Sequence, residues 1–431
     1  SLVLSYDRVQ AQQVTPDGTA NTQVNRLGNQ FTITNGSAAG SNLFHSFQEF
    51  SIPTNGSAVF DLVNTPSVST IFSRVTGSNL SSIDGTIRTI NSSNPISLFL
   101  LNPNGILFGA NARLEVGGSF IGSTASSVRF ADGSEFSTTN ATAPLLTISV
   151  PIGLQFGQNP GAIQVQGMGH RLSLMNVIDP YTRIEADGLK VQPGNTFGLI
   201  GGDLNLVGGV VNAPGGNIEF GSVGAGTVGL QATARGWQFN YGGASEFRDI
   251  RLSQAAIADA SGSLGTINTQ SRQLSLRDGS ALFVKKRDTQ PGSSIQIRAT
   301  DLVELTGASP SRFTSTISLE GIGTPGQASI SVDTKRLQMS AGGTIDTRNT
   351  STNVSGSIRV NASESITISD GTRTRSSVVT AVTLGAGRAG DVEISTSQLR
   401  LLNGGNISSG TFGQGNAGNV TVNADAIEIA G

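Results

Sequence analysis

The sequence contains no cysteine, which excludes disulfide bridges and thiolate metal sites. Its two histidines, His45 and His170, lie far apart without the spacing of metal ligands. Charged residues make up only 13% of the chain and the net charge is −2, so the composition gives no reason to expect nucleic acid or anionic lipid as a partner. No apolar run approaches the ~20 residues that a membrane-spanning helix needs.

Motifs that carry catalysis are also missing. No Gly-x-Ser-x-Gly elbow with a partner histidine and no phosphate-binding loop occurs. The acids are dispersed, without an Asp-x-Asp pair: Asp61, Asp84, Asp132, Asp187, Asp203 and Asp249. We therefore predict no enzyme activity, no catalytic residues, no metal and no cofactor. A polysaccharide-acting β-helix enzyme stays as the alternative, because acids from different coils could still form a cluster.

Glycine, by contrast, is abundant, at 56 of 431 residues. Short apolar segments are bounded throughout by Gly, Pro, Asn or Asp, which is typical of β-strands joined by many corners. Gly221–Gly229 is interpreted as such corners, and Thr147–Val150 as a strand that ends at Pro151 and Gly153. Residues 41–52 fit either a helix or a strand by their apolar spacing.

The second half of the chain repeats. A glycine followed by two β-branched residues one apart recurs, and the first β-branched residues are Ile295, Ile330, Ile358, Val392 and Val420. The steps of about 35, 28, 34 and 28 residues indicate a unit of about 62 residues. At about 20–25 residues a coil, that unit would hold about three coils of a solenoid. Ser309–Thr316 and Asn349–Val354 are the predicted longer corners.

These patterns predict an all-β fold, a right-handed parallel β-helix with short capping and extra-helical strands near the N-terminus. Stacked coils need small apolar residues inside, glycine and asparagine at corners, and polar residues outside. One corner stands out: Asn102-Pro103-Asn104-Gly105 separates two apolar runs, and each of its residues suits a tight turn. Ile106 begins the second run.

The stretch from Asn102 to Ile106 resembles the signature of the filamentous-haemagglutinin N-terminal domain, the secretion domain of two-partner-secretion exoproteins. The resemblance covers roughly residues 13–235 and is greatest to cyanobacterial members. Further matching segments are 40–47, 71–77, 83–85, 118–125, 201–206 and 215–220. Some members carry a second, upstream Asn-Pro-Asn-Leu element. Here the nearest candidate for that second motif is Asn79-Leu80, within Gly77-Ser78-Asn79-Leu80.

The resemblance implies a secreted or cell-surface exoprotein of a Gram-negative cell. An outer-membrane transporter of the Omp85/TpsB type would read the domain through its periplasmic domains while the chain is still extended. The distal part would serve as an adhesin that recognises surface glycans, as in carbohydrate-dependent haemagglutination. The stalk of a contact-dependent toxin is a further alternative.

We expect three segments. Residues 1–12 would be a signal-peptide remnant or disordered tail, 13–250 the secretion domain, and 251–431 continuing repeats, truncated because the chain ends inside one. Two smaller features complete the analysis. Lys285-Lys286-Arg287 is a basic cluster, interpreted as an exposed loop or as a contact for a glycan or lipopolysaccharide. Trp237, Phe239 and Tyr241 alternate on one strand face, where they would seal a coil boundary or stack on a sugar.

Overall fold

The computed structural model describes residues 13–139, 147–176, 179–286, 292–321, 328–373 and 375–431. Residues 1–12, and with them the predicted signal-peptide remnant, lie outside these ranges. The described chain consists of β-strands and connections. It contains no helix with the length and apolar character that a membrane crossing requires.

The first nineteen strands, in chain order, are β1 (Val14–Pro16), β2 (Thr22–Leu27), β3 (Gln30–Asn35), β4 (Ser37–Ala39), β5 (Asn42–Phe50), β6 (Ser57–Asp61), β7 (Thr70–Val75), β8 (Ser81–Ile83), β9 (Thr86–Ile90), β10 (Ser97–Leu101), β11 (Ile106–Phe108), β12 (Arg113–Glu115), β13 (Phe120–Ser123), β14 (Ser127–Phe130), β15 (Glu135–Ser137), β16 (Pro151–Phe156), β17 (Ile163–Gln166), β18 (Arg171–Ser173) and β19 (Thr182–Ile184).

The remaining strands are β20 (Leu189–Lys190), β21 (Thr196–Gly201), β22 (Leu204–Val207), β23 (Val210–Asn212), β24 (Asn217–Thr233), β25 (Gly236–Phe247), β26 (Asp249–Ser253), β27 (Ile257–Asp259), β28 (Thr266–Arg277), β29 (Ala281–Lys286), β30 (Ser294–Thr306), β31 (Thr316–Gly321), β32 (Ser329–Ser340), β33 (Thr344–Asn349), β34 (Ser357–Ser369), β35 (Val378–Thr383), β36 (Val392–Leu402), β37 (Asn406–Thr411) and β38 (Val420–Ala430).

The strands wind as a parallel β-helix with three faces, so the predicted fold is confirmed. The front face stacks β5, β7, β10, β13, β21, β24, β28, β30, β32, β34, β36 and β38 in parallel. A second face runs through β8, β11, β17, β22 and β26 into the later halves of β28 to β38. The third face holds β3, β6, β9 and β12, then the ladder from β20 to β37.

A single column of apolar side chains lines the inside of the front face. Its members are in direct register from one coil to the next: Leu43, Ile71, Leu98, Phe120, Phe197, Ile218, Ile267, Ile295, Ile330, Ile358, Val392 and Val420. All but the last are buried in the core. Each added coil therefore removes branched aliphatic surface from water, which favours stacking.

The register also corrects the predicted coil length. Ile295, Ile330, Ile358 and Val392 are successive partners, so each step of about 28 or 35 residues is one complete coil. The repeat unit of about 62 residues therefore contains two coils, not three. The longer coils gain their extra residues between the second and third faces, at 307–315 and 370–377. The predicted long corner at 309–316 falls there, whereas the other predicted long corner, Asn349–Val354, runs from the last residue of β33 into a connection of ordinary length.

Antiparallel strands cover two parts of this helix. At the N-terminal end, β1 and β4 pair with β5, and β2 pairs with β3. On the outside of the front face, β15, β14, β16, β24 and β25 form an extra-helical sheet. Two predictions fail here. Gly221–Gly229 lies inside β24, which leaves the helix to join this sheet, and β16 begins at Pro151, where a turn was predicted.

The extra-helical sheet is present because the first coils are apolar outside as well as inside. Phe44, Phe72 and Phe99 stack on the outer surface, with ring centroids 5.5 and 5.0 Å apart. Aromatic rings from the sheet, among them Phe130 and Phe136, pack against them at 5.0–5.8 Å. Aromatic pairs at such distances add to the burial energy. The strand assignment of residues 41–52 is thereby explained, since both faces of β5 are buried.

Candidate functional site

The Asn-Pro-Asn-Gly corner connects β10 on the front face to β11 on the second face. The backbone N–H of Gly105 donates to the carbonyl of Asn102 at 3.1 Å, which closes the predicted tight turn. The side-chain Oδ1 of Asn102 accepts from the backbone N–H and from the Nδ2 of Asn104, both at 3.0 Å. Gly105 has a φ of +125°, a conformation that side chains disfavour.

Asn102 also joins its coil to the coils on both sides. Its Nδ2 donates to the backbone oxygen of Asn79 and to the Oγ of Ser81, each at 3.0 Å, on the preceding coil. Its backbone N–H donates to the carbonyl of Ser123 on the following coil at 2.9 Å. The residue is completely buried. A buried amide with every group paired is costly to replace, because its partners would remain unpaired.

Asn104 lies at the surface of the same corner. Its Nδ2 donates to the backbone oxygen of Gly77 at 2.8 Å, so it too bonds to the preceding coil. Pro103 is half-buried, and its carbonyl accepts from the N–H of Gly161 at 2.9 Å. A Cβ on Gly161 would lie only 2.3 Å from the backbone carbon of Asn104. Ile106, the last residue of the stretch, is buried in the core.

The candidate second motif lies directly against this corner. Asn79 offers its backbone oxygen to Asn102 and donates its own Nδ2 to the Oε1 of Glu49 at 2.7 Å. Leu80 is 48% exposed and approaches Gly105, since a Cβ there would lie 3.7 Å from that of Leu80. The structure therefore brings together all seven candidate residues, which the sequence separates by more than twenty positions.

Sequence reasoning missed a buried charge beside this region. Arg74, near the end of β7, is 1% exposed, and its Nε donates to the Oγ of Ser46 at 2.7 Å. Its guanidinium lies 4.7 Å from the ring centroid of Phe136. Burial lowers the pKa of Arg74, and nearby Asp17 acts in the opposite direction. The signal was available, because a lone arginine in an apolar strand requires partners in the interior.

The acid beside Arg74 is held by hydroxyl groups. Burial raises the pKa of Asp17, but hydrogen bonds from Ser46, Thr19 and Thr76 outweigh it and leave the pKa below its usual value. The hydroxyl of Thr76 donates to Asp17 Oδ2 at 2.8 Å. This network joins the N-terminal strands, β7 and the extra-helical sheet, so it is a structural feature of the cap.

A second missed cluster lies on the third face. Tyr181, just before β19, is buried, and its hydroxyl donates to Asp346 Oδ2 at 2.9 Å. Its backbone N–H donates to Glu320 Oε2 at 2.7 Å. Arg348 lies over the ring at 4.7 Å and pairs with Asp346 at 2.6 Å. Burial raises the pKa of the Tyr181 hydroxyl, and the charge of Asp346 adds to this shift.

The predicted basic cluster is not an open patch. Lys285 donates to Glu320 Oε1 at 2.6 Å, and Lys286 is 3% exposed. Arg287 lies outside the described residues. Hence the described part of this cluster packs against the third face, because β29 carries both lysines into the ladder.

The two histidines have structural partners. His45 is buried, its Nδ1 lies 3.2 Å from the Thr22 hydroxyl, and burial lowers its pKa to about 3. The Nε2–H of His170 donates to the carbonyl of Gly279 at 2.7 Å. Within the described ranges, no three His, Asp or Glu residues gather closely enough to hold a metal ion.

The aromatic group Trp237, Phe239 and Tyr241 seals the outside of the front face. Trp237 is 6% exposed and meets Phe99 edge-on at 4.9 Å, so it is not a platform for sugar stacking. Phe239 and Tyr241 are half-buried on the same strand, β25. Tyr241 donates its hydroxyl to Glu219 Oε1 at 2.9 Å.

Comparison with known proteins gives one family match. The model of the TPS secretion domain matches residues 12–273. Among solved structures, the HMW1 secretion domain from Haemophilus influenzae has 15% identity and a TM-score of 0.47, covering 97% of this chain and 99% of its own. A filamentous hemagglutinin secretion domain has 15% identity and a TM-score of 0.36, covering 97% and 100%. No protein among the curated sequences matches this chain.

Proposed function

The chain belongs to the family of TPS secretion domains, and we propose that an outer-membrane transporter of the Omp85/TpsB type recognises it through periplasmic domains and exports it. Members of this family are parts of two-partner secreted exoproteins, which cross the outer membrane. The family match carries the proposal, since it covers more than half of the chain. We extend it to a Gram-negative, cyanobacterial-type origin on the sequence resemblance alone.

We propose that Asn102 to Ile106, together with Asn79 and Leu80, form the secretion motif. In the folded protein Asn102 and Ile106 are buried. A transporter could therefore contact the Asn102 side chain only before this corner forms. This supports recognition of an extended chain, with the corner closing afterwards.

Folding outside the cell would then help to complete export. Each new coil adds one member to the apolar column and hydrogen-bonds along its length to the coil before it. Such stepwise stacking releases free energy locally and does not require the whole chain to be present. The geometry of a β-helix thus suits export from the N-terminal end.

The test is co-expression of the full chain, carrying a periplasmic export signal, with the outer-membrane transporter encoded beside its gene. We expect release into the medium with the transporter and periplasmic retention without it. A periplasmic marker enzyme controls for leakage. Equal release in both strains would overturn the proposal.

We propose further that the repeats serve as an adhesive, haemagglutinin-like surface that binds glycans. From Asn268 onward the front face presents a column of polar side chains that no extra-helical strand of the described residues covers: Asn268, Gln296, Ser331, Arg359, Glu393 and Thr421. Agglutination of red cells by the purified chain, and its inhibition by free sugars, tests this role. A chain that never agglutinates cells would contradict it.

The alternative of a polysaccharide-acting β-helix enzyme would need a cluster of free carboxylates. The acid pairs that do form across coils, Asp203 with Asp249 and Glu320 with Asp346, are bonded to arginine, lysine or tyrosine side chains. Such paired carboxylates stabilise the fold, and an adhesive surface accounts better for the polar column.

A further inference from the structure

The outer column of the front face changes character at one coil. In register, it runs through Phe44, Phe72, Phe99, Ile121, Gly198, Glu219, Asn268, Gln296, Ser331, Arg359, Glu393 and Thr421. The apolar members lie under the extra-helical sheet. The polar members begin at Glu219, beneath the edge of β25. A groove of about 530 Å³ lies where the sheet edge overhangs the polar column.

We propose that this groove binds a short linear oligosaccharide. The inference rests on the adhesive part of the proposed function and is independent of the secretion part. The residues on which the argument depends are Glu219, Phe239, Tyr241, Asn268, Gln270 and Gln296.

The floor of the groove contains one amide group that is held in place, that of Asn268. Asn268 Nδ2 donates to Glu219 Oε2 and to Asn217 Oδ1, both at 3.1 Å. These two bonds fix the orientation of the amide and leave its Oδ1 as an acceptor for a ligand. Preorganised amides of this kind recognise hydroxyl groups well, because no reorganisation is needed on binding.

Neighbouring side chains supply the remaining hydrogen-bonding capacity. In the described structure, the side chains of Gln238, Gln270 and Ser294 have no hydrogen-bond partner. Gln270 lies on the same strand as Asn268, and Gln296 on the next coil. Successive coils are about 4.8 Å apart, so a ligand lying across them meets the amides of Asn268 and Gln270 on one coil and that of Gln296 on the next.

The wall of the groove is aromatic and is built by the hairpin that β24 and β25 form. Half-buried Phe239 directs its ring towards Gly198, where a Cβ would lie 3.3 Å from the ring tip. Gly221 leaves room for the Tyr241 hydroxyl, which a Cβ would approach to 2.4 Å. An aromatic wall beside the fixed amide of Asn268 and the free amide of Gln270 suits a pyranose, which has apolar C–H faces and a polar rim of hydroxyls.

Other classes of ligand fit less well. The arginine at the hairpin tip, Arg235, is occupied, since it donates to the backbone oxygens of Gly215 and Leu264. Among the described residues that line the groove, only Arg298 then offers an exposed positive charge, which is too little for nucleic acid or an anionic membrane. The polar floor lacks the apolar area that a protein partner would bury.

The test begins with the purified full chain on an array of immobilised plant, animal and bacterial oligosaccharides. The strongest binder is then titrated in solution while the fluorescence of Trp237, the single tryptophan, is recorded. Because Trp237 lines the groove, a ligand bound there changes its emission. We expect Gln270→Ala and Gln296→Ala each to weaken binding about tenfold or more.

Gln338→Ala is the matched control, since Gln338 is an exposed glutamine on β32, away from the hairpin. It should leave binding unchanged. No binder on the array, an unchanged Trp237 emission, or equal loss in the control would each overturn the proposal. Secretion is measured separately in cells. A groove that binds no oligosaccharide would therefore not count against the proposal of transporter-dependent export.

Discussion

The side-chain amide of Asn102 donates to the backbone oxygen of Asn79 over 3.0 Å, which joins the two candidate motifs across adjacent coils. The amide is buried, and its Oδ1 fixes Asn104 in the same turn. A side chain that completes its own corner and bonds to the preceding coil makes stacking and turn formation interdependent.

We predict that Asn102→Ala destabilises the fold by about 2–4 kcal/mol, because the buried hydroxyl of Ser81 and the half-buried carbonyl of Asn79 and N–H of Asn104 lose a hydrogen-bond partner. Urea unfolding followed by circular dichroism and by Trp237 emission measures the change. Asn25→Ala, at an exposed asparagine of β2, is the control and should shift stability by less than about 0.5 kcal/mol. Equal effects would refute the role of the buried amide.

The close packing of the Gly161 backbone against the Asn104 corner leads to a second prediction. At Gly161 an added Cβ would lie 2.3 Å from the backbone of Asn104, so Gly161→Ala should cost about 3 kcal/mol or more. Gly157 has nothing within 4 Å of its Cβ position and provides the matched Gly157→Ala control. Denaturant midpoints of the two variants should differ clearly. If they coincide, the corners are not packed this tightly.

Stability should also depend on the protonation of Glu219. Burial raises the pKa of this carboxyl from 4.5 to about 7, although hydrogen bonds from Tyr241 and Asn268 act against the shift. A carboxyl with a higher pKa when folded contributes stability that is present below about pH 4.5 and is lost as the pH rises through 7. The loss should approach about 3 kcal/mol.

Glu219→Gln removes this titration and is the comparison to make. We expect the stability of the wild type to fall relative to that of the variant between pH 5 and pH 8. His45 has a pKa lowered by burial, so it destabilises the fold at acid pH, but it does so equally in both proteins and cancels in the difference. A difference that does not vary with pH would contradict the raised pKa.

Tyr181 provides a prediction about the third face. Tyr181→Ala removes the packing against Phe283 and Phe313 and the hydrogen bond to Asp346. The hairpin of β18 and β19 should detach, and trypsin should cleave faster at Arg171 and Arg183. Ile184→Ala, at a 56% exposed position of the same hairpin, should leave the cleavage rate unchanged. If trypsin cleaved the wild type and both variants at the same rate, Tyr181 would not hold this hairpin against the third face.

The sequence predicted the repetitive part of this structure well. Ile295, Ile330 and Ile358 recur at recognisable spacings because the inside of every coil requires the same branched residues. The tight turn at Asn102 was also predictable, since turns depend on a few neighbouring residues. The number of residues per coil was not predictable, because a step of 28 residues fits one long coil as readily as part of a larger unit.

Contacts between distant segments escaped prediction for a physical reason. Glu320 and Asp346 lie 139 and 165 positions from Tyr181, and no local pattern encodes such pairs. Extra-helical strands were predicted, but the aromatic residues of β5, β7 and β10 match a core strand, and nothing in them specifies which segments form the extra-helical sheet. The candidate motif residues were named from the resemblance, whereas their hydrogen bonds became visible only in three dimensions.

The most direct test of the central claim compares export and stability of Asn104→Ala. Asn104 is exposed, so its loss should cost only about 1 kcal/mol of stability. Asn111→Ala is the matched control, because Asn111 is an exposed asparagine at the next corner that bonds to Asp84 on the preceding coil. We predict that Asn104→Ala loses transporter-dependent release into the medium while Asn111→Ala retains it, with both purified proteins folded. Normal release of Asn104→Ala would contradict a secretion motif at this corner.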